Sequence, residues 1–329
     1  MNKPTLLYYN ISGFQKETLK HIGEFFQIVT LPDPDYSHDI DDIQNVDALI
    51  APMGYVFDKS KLDCFNRLRV IGTPTTGTIH IDTTYSHEKG IRICSLKSQQ
   101  QFLATITPTA ELALGLILAI TRQIPQAFNA VCNNIWNGRE FGKKTPKMLS
   151  QMSLGIVGLG RLGLWMARYG KALNMKVYYY DPYTSNEQYN KCDNILDLAK
   201  LCNIVTVHTH LTKETENIID QTFMESMPKP SYIINTARGG IVNEDDLLLC
   251  LSSGCLSGAG LDMLKNEHLP EFKNKLSNHP LISYAKCHDN LIITPKMGGC
   301  TLDAWEKTEI FIVDMMKDVF YQKEVYNSK

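Results

Sequence analysis

The sequence predicts an α/β protein built from two doubly wound parallel-sheet domains, and three observations predict it. Short apolar runs alternate with helical or turn-rich stretches along the whole chain, which is the pattern of βα units around a parallel sheet. The runs fall into two series with a long apolar segment between them. With 43% hydrophobic and 21% charged residues among 329, there is material for two buried cores.

The first series is Leu6 to Tyr9, Phe26 to Val29, Ala48 to Ile50, Arg69 to Ile71 and Ile91 to Cys94. The second is Leu154 to Val157, Val177 to Tyr180, Ile204 to His208, Tyr232 to Asn235, Ala259 to Leu261 and Leu291 to Ile293. Between them, Thr107 stands where a side chain can cap a helix and Pro108 suits the first helical position, so a long helix is expected there. It is apolar almost all round to Ile120 and must be buried, either between domains or against a second subunit. Asn137 to Lys147, with two glycines, a proline and several charges, reads as a surface loop. In Thr301 to Tyr321 the apolar spacing of Ile310, Val313, Met316 and Phe320 predicts a helix that returns to the first domain.

Composition narrows the function. With 33 basic against 35 acidic side chains and a net charge of −2, no basic face condenses on nucleic acid or an anionic membrane. Small molecules and copies of the chain are the expected partners. Nine cysteines form no CxxC pair and no even-numbered framework, which suits reduced thiols in a cytoplasm and no metal site. The N-terminus lacks the apolar core of a signal peptide, and Leu112 to Ile120 is too short to span a bilayer.

Chemistry first appears in Ser-Leu-Gly-Ile-Val-Gly-Leu-Gly-Arg-Leu-Gly-Leu, where Gly158, Gly160 and Gly163 form GxGxxG between a strand and a helix. The first glycine permits the tight turn, the second admits a pyrophosphate to the backbone, and the third lets helix and strand pack closely. Arg161 and Leu162 open the helix whose amides would face the phosphates. The next strand ends in Asp181, about 20 residues on, where a carboxylate accepts ribose hydroxyls. NAD is favoured over NADP, since Asp181 repels a 2′-phosphate and Pro182 and Tyr183 supply no arginine to pair with it. A methyltransferase can share strand, glycines and acid, so the class stays open at this point.

In Tyr-Ile-Ile-Asn-Thr-Ala-Arg-Gly-Gly-Ile-Val-Asn-Glu-Asp-Asp-Leu-Leu, Arg238 follows a buried strand and precedes two glycines. There it can present a bidentate fork to a carboxylate, or make an ordinary surface ion pair.

GIVGLGRLG, Asn-Thr-Ala-Arg-Gly-Gly, Gly-Ala-Gly-Leu-Asp-Met-Leu-Lys-Asn-Glu and Thr-Pro-Lys-Met-Gly-Gly-Cys-Thr occur here in one order. On these four motifs nearly the whole chain resembles the D-specific 2-hydroxyacid dehydrogenases, the group that includes phosphoglycerate, glycerate and D-lactate dehydrogenases. The resemblance implies two Rossmann-like domains: a discontinuous substrate domain, residues 1–98 with 300–329, and an NAD domain, 99–299, with the active site in the cleft between them. It implies a homodimer paired through the helix after Thr107 and neighbouring segments. It carries substrate-carboxylate binding and polarisation of the 2-oxo group to Arg238, contact with the substrate to the amides of Thr76 and Gly77, and orientation of the nicotinamide carboxamide to Asp262. Glu267 corresponds to the acid that tunes the catalytic base. Thr209, His210, Thr215, Thr236 and Ala237, with Arg238, fall where relatives contact NAD, and His210 replaces the proline usual in that loop. Formate dehydrogenase activity is disfavoured, because those relatives carry an amide where Glu267 stands.

At the position of the family's catalytic histidine stands Lys296. Imidazole titrates near neutrality and shuttles a proton both ways, whereas lysine is a poorer reversible shuttle. Three readings follow. Lys296 is a cationic acid that biases the enzyme towards reducing 2-oxo acids, or it binds a further anionic group of the substrate, or hydride transfer has decayed and the chain is an NAD(H)-binding sensor or scaffold. Intact Arg238 and Glu267 favour the first. His268, His279 and His288 read as solvated loop residues and Lys97 as an exposed hinge lysine, rather than as substitutes in the site.

Overall fold

The structure, a computed structural model, describes residues 3–11, 16–35, 43–145, 147–267, 269 and 271–321. The chain divides into two compact units, Met1–Ile106 with Cys300–Lys329, and Thr107–Gly299.

In the first unit, strands β1 (Thr5–Tyr9), β2 (Gln27–Leu31), β3 (Ala48–Ile50), β4 (Val70–Thr73) and β5 (Arg92–Ser95) form one parallel sheet in the order β2-β1-β3-β4-β5. Successive side chains of a strand alternate between faces, so Leu7 and Tyr9 enter one core while Leu6 and Tyr8 enter the other. Both faces are covered, which is why these strands read as continuous apolar runs. The helix Leu302–Tyr321 supplies Ile312, Val313 and Met316 to the second of those cores. Its buried stripe runs through Ile312 rather than Ile310, which is half-buried. The short helix Gln100–Leu103 belongs to this unit: Leu103 is buried in the same core and Phe102 stacks on Phe311 at 4.0 Å. A boundary after residue 98 therefore falls too early, since these contacts carry the first unit to Ile106.

The second unit holds β6 (Ser153–Val157), β7 (Lys176–Tyr180), β8 (Asn190–Lys191), β9 (Ile204–Val207), β10 (Tyr232–Asn235), β11 (Gly258–Leu261) and β12 (Leu291–Ile293). They form a seven-stranded sheet in the order β12-β11-β10-β9-β6-β7-β8, parallel throughout. The strand order reverses between β6 and β9, and in open α/β sheets ligands bind outside the carboxyl ends at such a point.

The helix Pro108–Arg122 lays Ala110, Ala113, Leu116, Ile117 and Ile120 into this unit's own core beside Leu154, Ile156 and Ile234. The sequence left this face to a neighbouring domain or a second subunit; the helix's own sheet takes it. Thr107 does not cap it: the hydroxyl donates to Oε1 of Glu111 at 2.5 Å instead of accepting a first-turn amide. The stretch Gln100–Arg122 is long and apolar enough by composition to cross a membrane. The structure breaks it between Leu103 and Pro108. The expected loop at 137–147 contains a helix, Gly138–Lys144, since its Glu140 and Lys143 pair across one turn at 2.9 Å.

Candidate active site

At the carboxyl end of β6, Gly158 has φ +89°, and a Cβ there would stand 2.9 Å from the carbonyl oxygen of His208 at the end of β9. A Cβ on Gly163 would lie 2.1 Å from the Gly158 oxygen, so helix Arg161–Ala172 meets the turn as closely as backbone allows. A Cβ on Gly160 would meet nothing within 4 Å. Gly160 is the helix N-cap and brings no side-chain cap, and a helix N-terminus of this kind suits an anion. Arg161, at the first helical position, has its pKa lowered by burial, and Leu162 packs on the core beneath.

Asp181 closes this turn. Its Oδ2 accepts the Leu159 amide at 2.8 Å, and its Oδ1 accepts the amides of Tyr183 and Thr184 at 2.8 and 3.0 Å. A carboxylate offers about four accepting positions, so one on Oδ2 is left for a ribose hydroxyl. Thr209 is half-buried and the side chain of His210 is exposed. The Thr215 hydroxyl donates to the His210 carbonyl at 2.6 Å and accepts the Thr212 amide at 2.7 Å, so it braces the loop. Buried Thr236 has a hydroxyl with no partner among the described residues, beside half-buried Ala237. An orphaned buried hydroxyl, open space at Gly160 and an uncapped helix end fit a dinucleotide.

Arg238 is positioned by a residue that the motif reading passed over. Asn235, buried at the end of β10, accepts the Ala237 amide at 3.0 Å and donates to the Arg238 carbonyl at 2.8 Å. An asparagine ending a buried apolar strand is the signal that could have found it. One guanidinium nitrogen, Nη1, donates to the Ala237 carbonyl at 2.6 Å, while the exposed side chain keeps its other donors for a ligand.

Lys296 lies past β12 in the left-handed region, φ 56°. Asp262, 3% exposed, holds it there from both sides in the chain. Oδ1 accepts the Thr294 hydroxyl at 2.6 Å and the Met297 amide at 2.9 Å, and Oδ2 accepts the Gly298 amide at 2.8 Å. The residue carried over for the nicotinamide carboxamide is thus committed first to the lysine loop. From this loop Nζ of Lys296 reaches Oε1 of Glu267 at 3.2 Å, with the lysine side chain 42% and the glutamate 13% accessible. A cavity of about 880 Å³ opens beside the pair, with Asp262, Glu267, Thr294 and Lys296 in its wall.

Of the other candidates, His279 is no solvated loop residue: its side chain is 14% accessible and its Nε2 lies 3.5 Å from Oε2 of Glu244. His288 is exposed and stacks on Tyr284 at 3.8 Å, and Lys97 is exposed. His268 lies outside the described residues. In the first unit, Thr76 and Gly77 follow β4, and no hydrogen bond occupies either amide among the described residues. The Thr75 hydroxyl donates to the Gly77 carbonyl at 2.6 Å and meets the Thr73 hydroxyl at 2.9 Å, which meets Nε2 of buried His80 at 3.2 Å. Among the described residues no group of side chains could hold a metal ion, and the nine cysteines form no disulfide.

A glycine turn at the switch point opening a helix without a side-chain cap, in one unit with an exposed arginine and a paired lysine, marks the second unit as that of an NAD-binding oxidoreductase. Residues 114–298 match the family model of the D-isomer specific 2-hydroxyacid dehydrogenase, NAD binding domain. The glyoxylate reductase of Thermofilum pendens is 30% identical over 275 residues, which is 80% of this chain and 76% of that protein. The D-3-phosphoglycerate dehydrogenase of Methanocaldococcus jannaschii is 30% identical over 85% of this chain, which spans 51% of that longer protein. The D-lactate dehydrogenase of Aquifex aeolicus, solved with NAD and lactic acid, superposes with a TM-score of 0.76 at 23% identity, covering 97% of this chain and 96% of that one. The chain belongs to the D-isomer specific 2-hydroxyacid dehydrogenase family.

Proposed function

We propose that this protein reduces a small 2-oxo acid to the D-2-hydroxy acid with NADH, using Lys296 as the proton donor. The observation that carries the reading is the Lys296–Glu267 pair at 3.2 Å, on a loop fixed by Asp262. Gly158, Gly160, Arg161, Leu162 and Gly163 would hold the pyrophosphate, Asp181 the ribose, and Thr209, Thr236 and Ala237 the remaining contacts, while His210 and Thr215 shape their loop. The carboxylate of Asp181, followed by Pro182, Tyr183 and Thr184 with no arginine, favours NAD over NADP. When bound, NADH supplies the hydride that the 2-oxo carbon accepts.

The chain's own residues do the rest. Arg238 presents its guanidinium fork to the substrate carboxylate and draws charge onto the 2-oxo oxygen. In the first unit, the amides of Thr76 and Gly77 are the proposed substrate contacts. The ammonium of Lys296 stabilises the developing alkoxide and gives it a proton from Nζ, and the carboxylate of Glu267 keeps that ammonium aimed. A side chain 42% accessible recovers its proton from water. A cationic donor suits the direction in which an alkoxide forms and takes up a proton, so the proposed bias is towards reduction.

Exposed apolar side chains between residues 124 and 136, namely Ile124, Phe128, Val131, Ile135 and Trp136, support a homodimer paired through this arm. NADH oxidation with glyoxylate, pyruvate, hydroxypyruvate and 2-oxoglutarate tests the activity. Turnover of any of them that Arg238→Ala abolishes is the expected result. Tight NADH binding without turnover would make the chain a cofactor sensor or scaffold instead.

A further inference from the structure

We propose that Glu244 is a positioning residue for the Lys296–Glu267 pair, acting through the peptide between Leu264 and Lys265. This inference rests on the reading of that pair as the proton-donating site.

By sequence Glu244 is only the first of three acids, with Asp245 and Asp246, in the opening turn of helix Glu244–Ser252, where negative charge suits the helix dipole. An exposed acid would do that equally well. Glu244 is instead 17% accessible, and its side chain turns back across the fold. Its Oε1 accepts the Lys265 amide at 2.6 Å, and its Oε2 faces Nε2 of His279 at 3.5 Å. His279 is itself 14% accessible and lies edge-on to Phe272, ring centroids 6.0 Å apart. Both oxygens of a largely buried carboxylate are therefore occupied, one by the chain segment that matters and the other by a ring that keeps it in place.

The Leu264–Lys265 peptide is where three parts of the site converge. A Cβ on Gly239, directly after Arg238, would lie 2.1 Å from the Leu264 carbonyl carbon and 2.2 Å from the Lys265 nitrogen. The Leu264 carbonyl accepts the Glu267 amide at 3.3 Å, closing the turn that delivers Glu267 to Lys296. Upstream, the same segment is tied to Asp262 and so to the lysine loop. Without the Glu244 carboxylate, the Lys265 amide loses its acceptor, and the turn carrying Glu267 is free to shift against both Arg238 and Lys296. Displacement on the order of 1 Å at a reacting group costs up to about a hundredfold in rate.

The test is a double-mutant cycle in the full chain, read as NADH oxidation with the best substrate of the panel. Glu244→Ala lowers kcat about ten- to hundredfold with NADH affinity within about twofold, and in a Glu267→Ala background it causes no further loss. Glu244→Asp, which keeps the charge at the helix start but falls one methylene short of Lys265, behaves like the alanine variant and guards against misfolding. Glu244→Gln, which retains an acceptor oxygen, restores kcat to within about threefold of the native chain. Losses from Glu244 and Glu267 that multiply independently, or a glutamine that restores nothing, would overturn the assignment while leaving the reductase reading intact. Absence of turnover in the native chain would overturn that reading and this one with it.

Discussion

The ammonium of Lys296 meets Oε1 of Glu267 at 3.2 Å from a backbone held in the left-handed region, φ 56°. A bulky residue accepts that conformation only where its surroundings impose it, and here the two oxygens of Asp262 do so through Thr294, Met297 and Gly298. The lysine is thus placed by the fold rather than left on a loose loop.

If Lys296 is the acid, Lys296→Met lowers turnover by about 10²–10⁴ and leaves NADH affinity unchanged. Oxidation of the hydroxy acid needs a neutral base, and lysine is neutral only in alkaline solution. The reverse reaction of the native chain should therefore appear only at high pH and move towards neutrality in Lys296→His. Initial rates across pH for both chains decide it. Activity in the histidine variant alone would mean that the native site has given up catalysis and kept its cofactor.

Asp262→Ala strips the acceptor from the Thr294 hydroxyl and from the amides of Met297 and Gly298. Hydrogen bonds to a buried charge contribute about 1.5–3 kcal/mol each, and local relaxation recovers part of that. The expected cost is about 2–4 kcal/mol in urea unfolding, with a loss of turnover at least as large as that of Lys296→Met. A variant with native kinetics would show that the loop needs no anchor.

Arg238→Lys keeps the charge and loses the planar fork, so it should raise KM and lower kcat together, by at least about tenfold in kcat/KM. A change confined to KM would mean that Arg238 only binds substrate and does not polarise the oxo group.

Glu309, in the first unit, is 9% exposed, with the Tyr8 hydroxyl donating to its Oε2 at 3.2 Å. Burial chiefly, opposed by the hydrogen bond from Tyr8, raises its carboxyl from 4.5 to about 7. The folded state thus holds this proton more tightly than the unfolded chain. The resulting stability is fully present below pH 4.5 and is lost as pH rises through about 7. Between pH 5 and 8 the native chain should lose about 1–3 kcal/mol more than Glu309→Gln, which carries no titrating group there. Parallel curves from urea unfolding at the two pH values would refute this.

Phe128 and Trp136 are 67% and 89% exposed on the arm assigned to the dimer. Phe128→Asp with Trp136→Asp should convert a native dimer to monomer in light scattering without unfolding it, since neither side chain belongs to a core. A native chain that is already monomeric would remove the proposed interface.

Periodicity carried the architecture. Every strand lettered with apolar residues was legible, because a parallel sheet buried on both faces forces continuous apolar runs, and the glycine turn was legible because phosphate binding demands glycine at fixed spacing. The two-residue β8 is exposed and leaves no such trace, and helix Gly138–Lys144 buries no side chain, so its glycines and charges looked like a loop. The resemblance brought Arg238, Glu267 and Lys296 to notice. Their arrangement depended on polar contacts between residues far apart in the chain: hydrogen bonds of Asp262 with Met297 and of Glu244 with Lys265, and the approach of His279 to Glu244. Such bonds satisfy buried polar groups wherever folding happens to bring them, and they impose no period and no neighbouring pattern. For that reason His279 looked solvated and Thr107 looked like a cap, until packing set their partners.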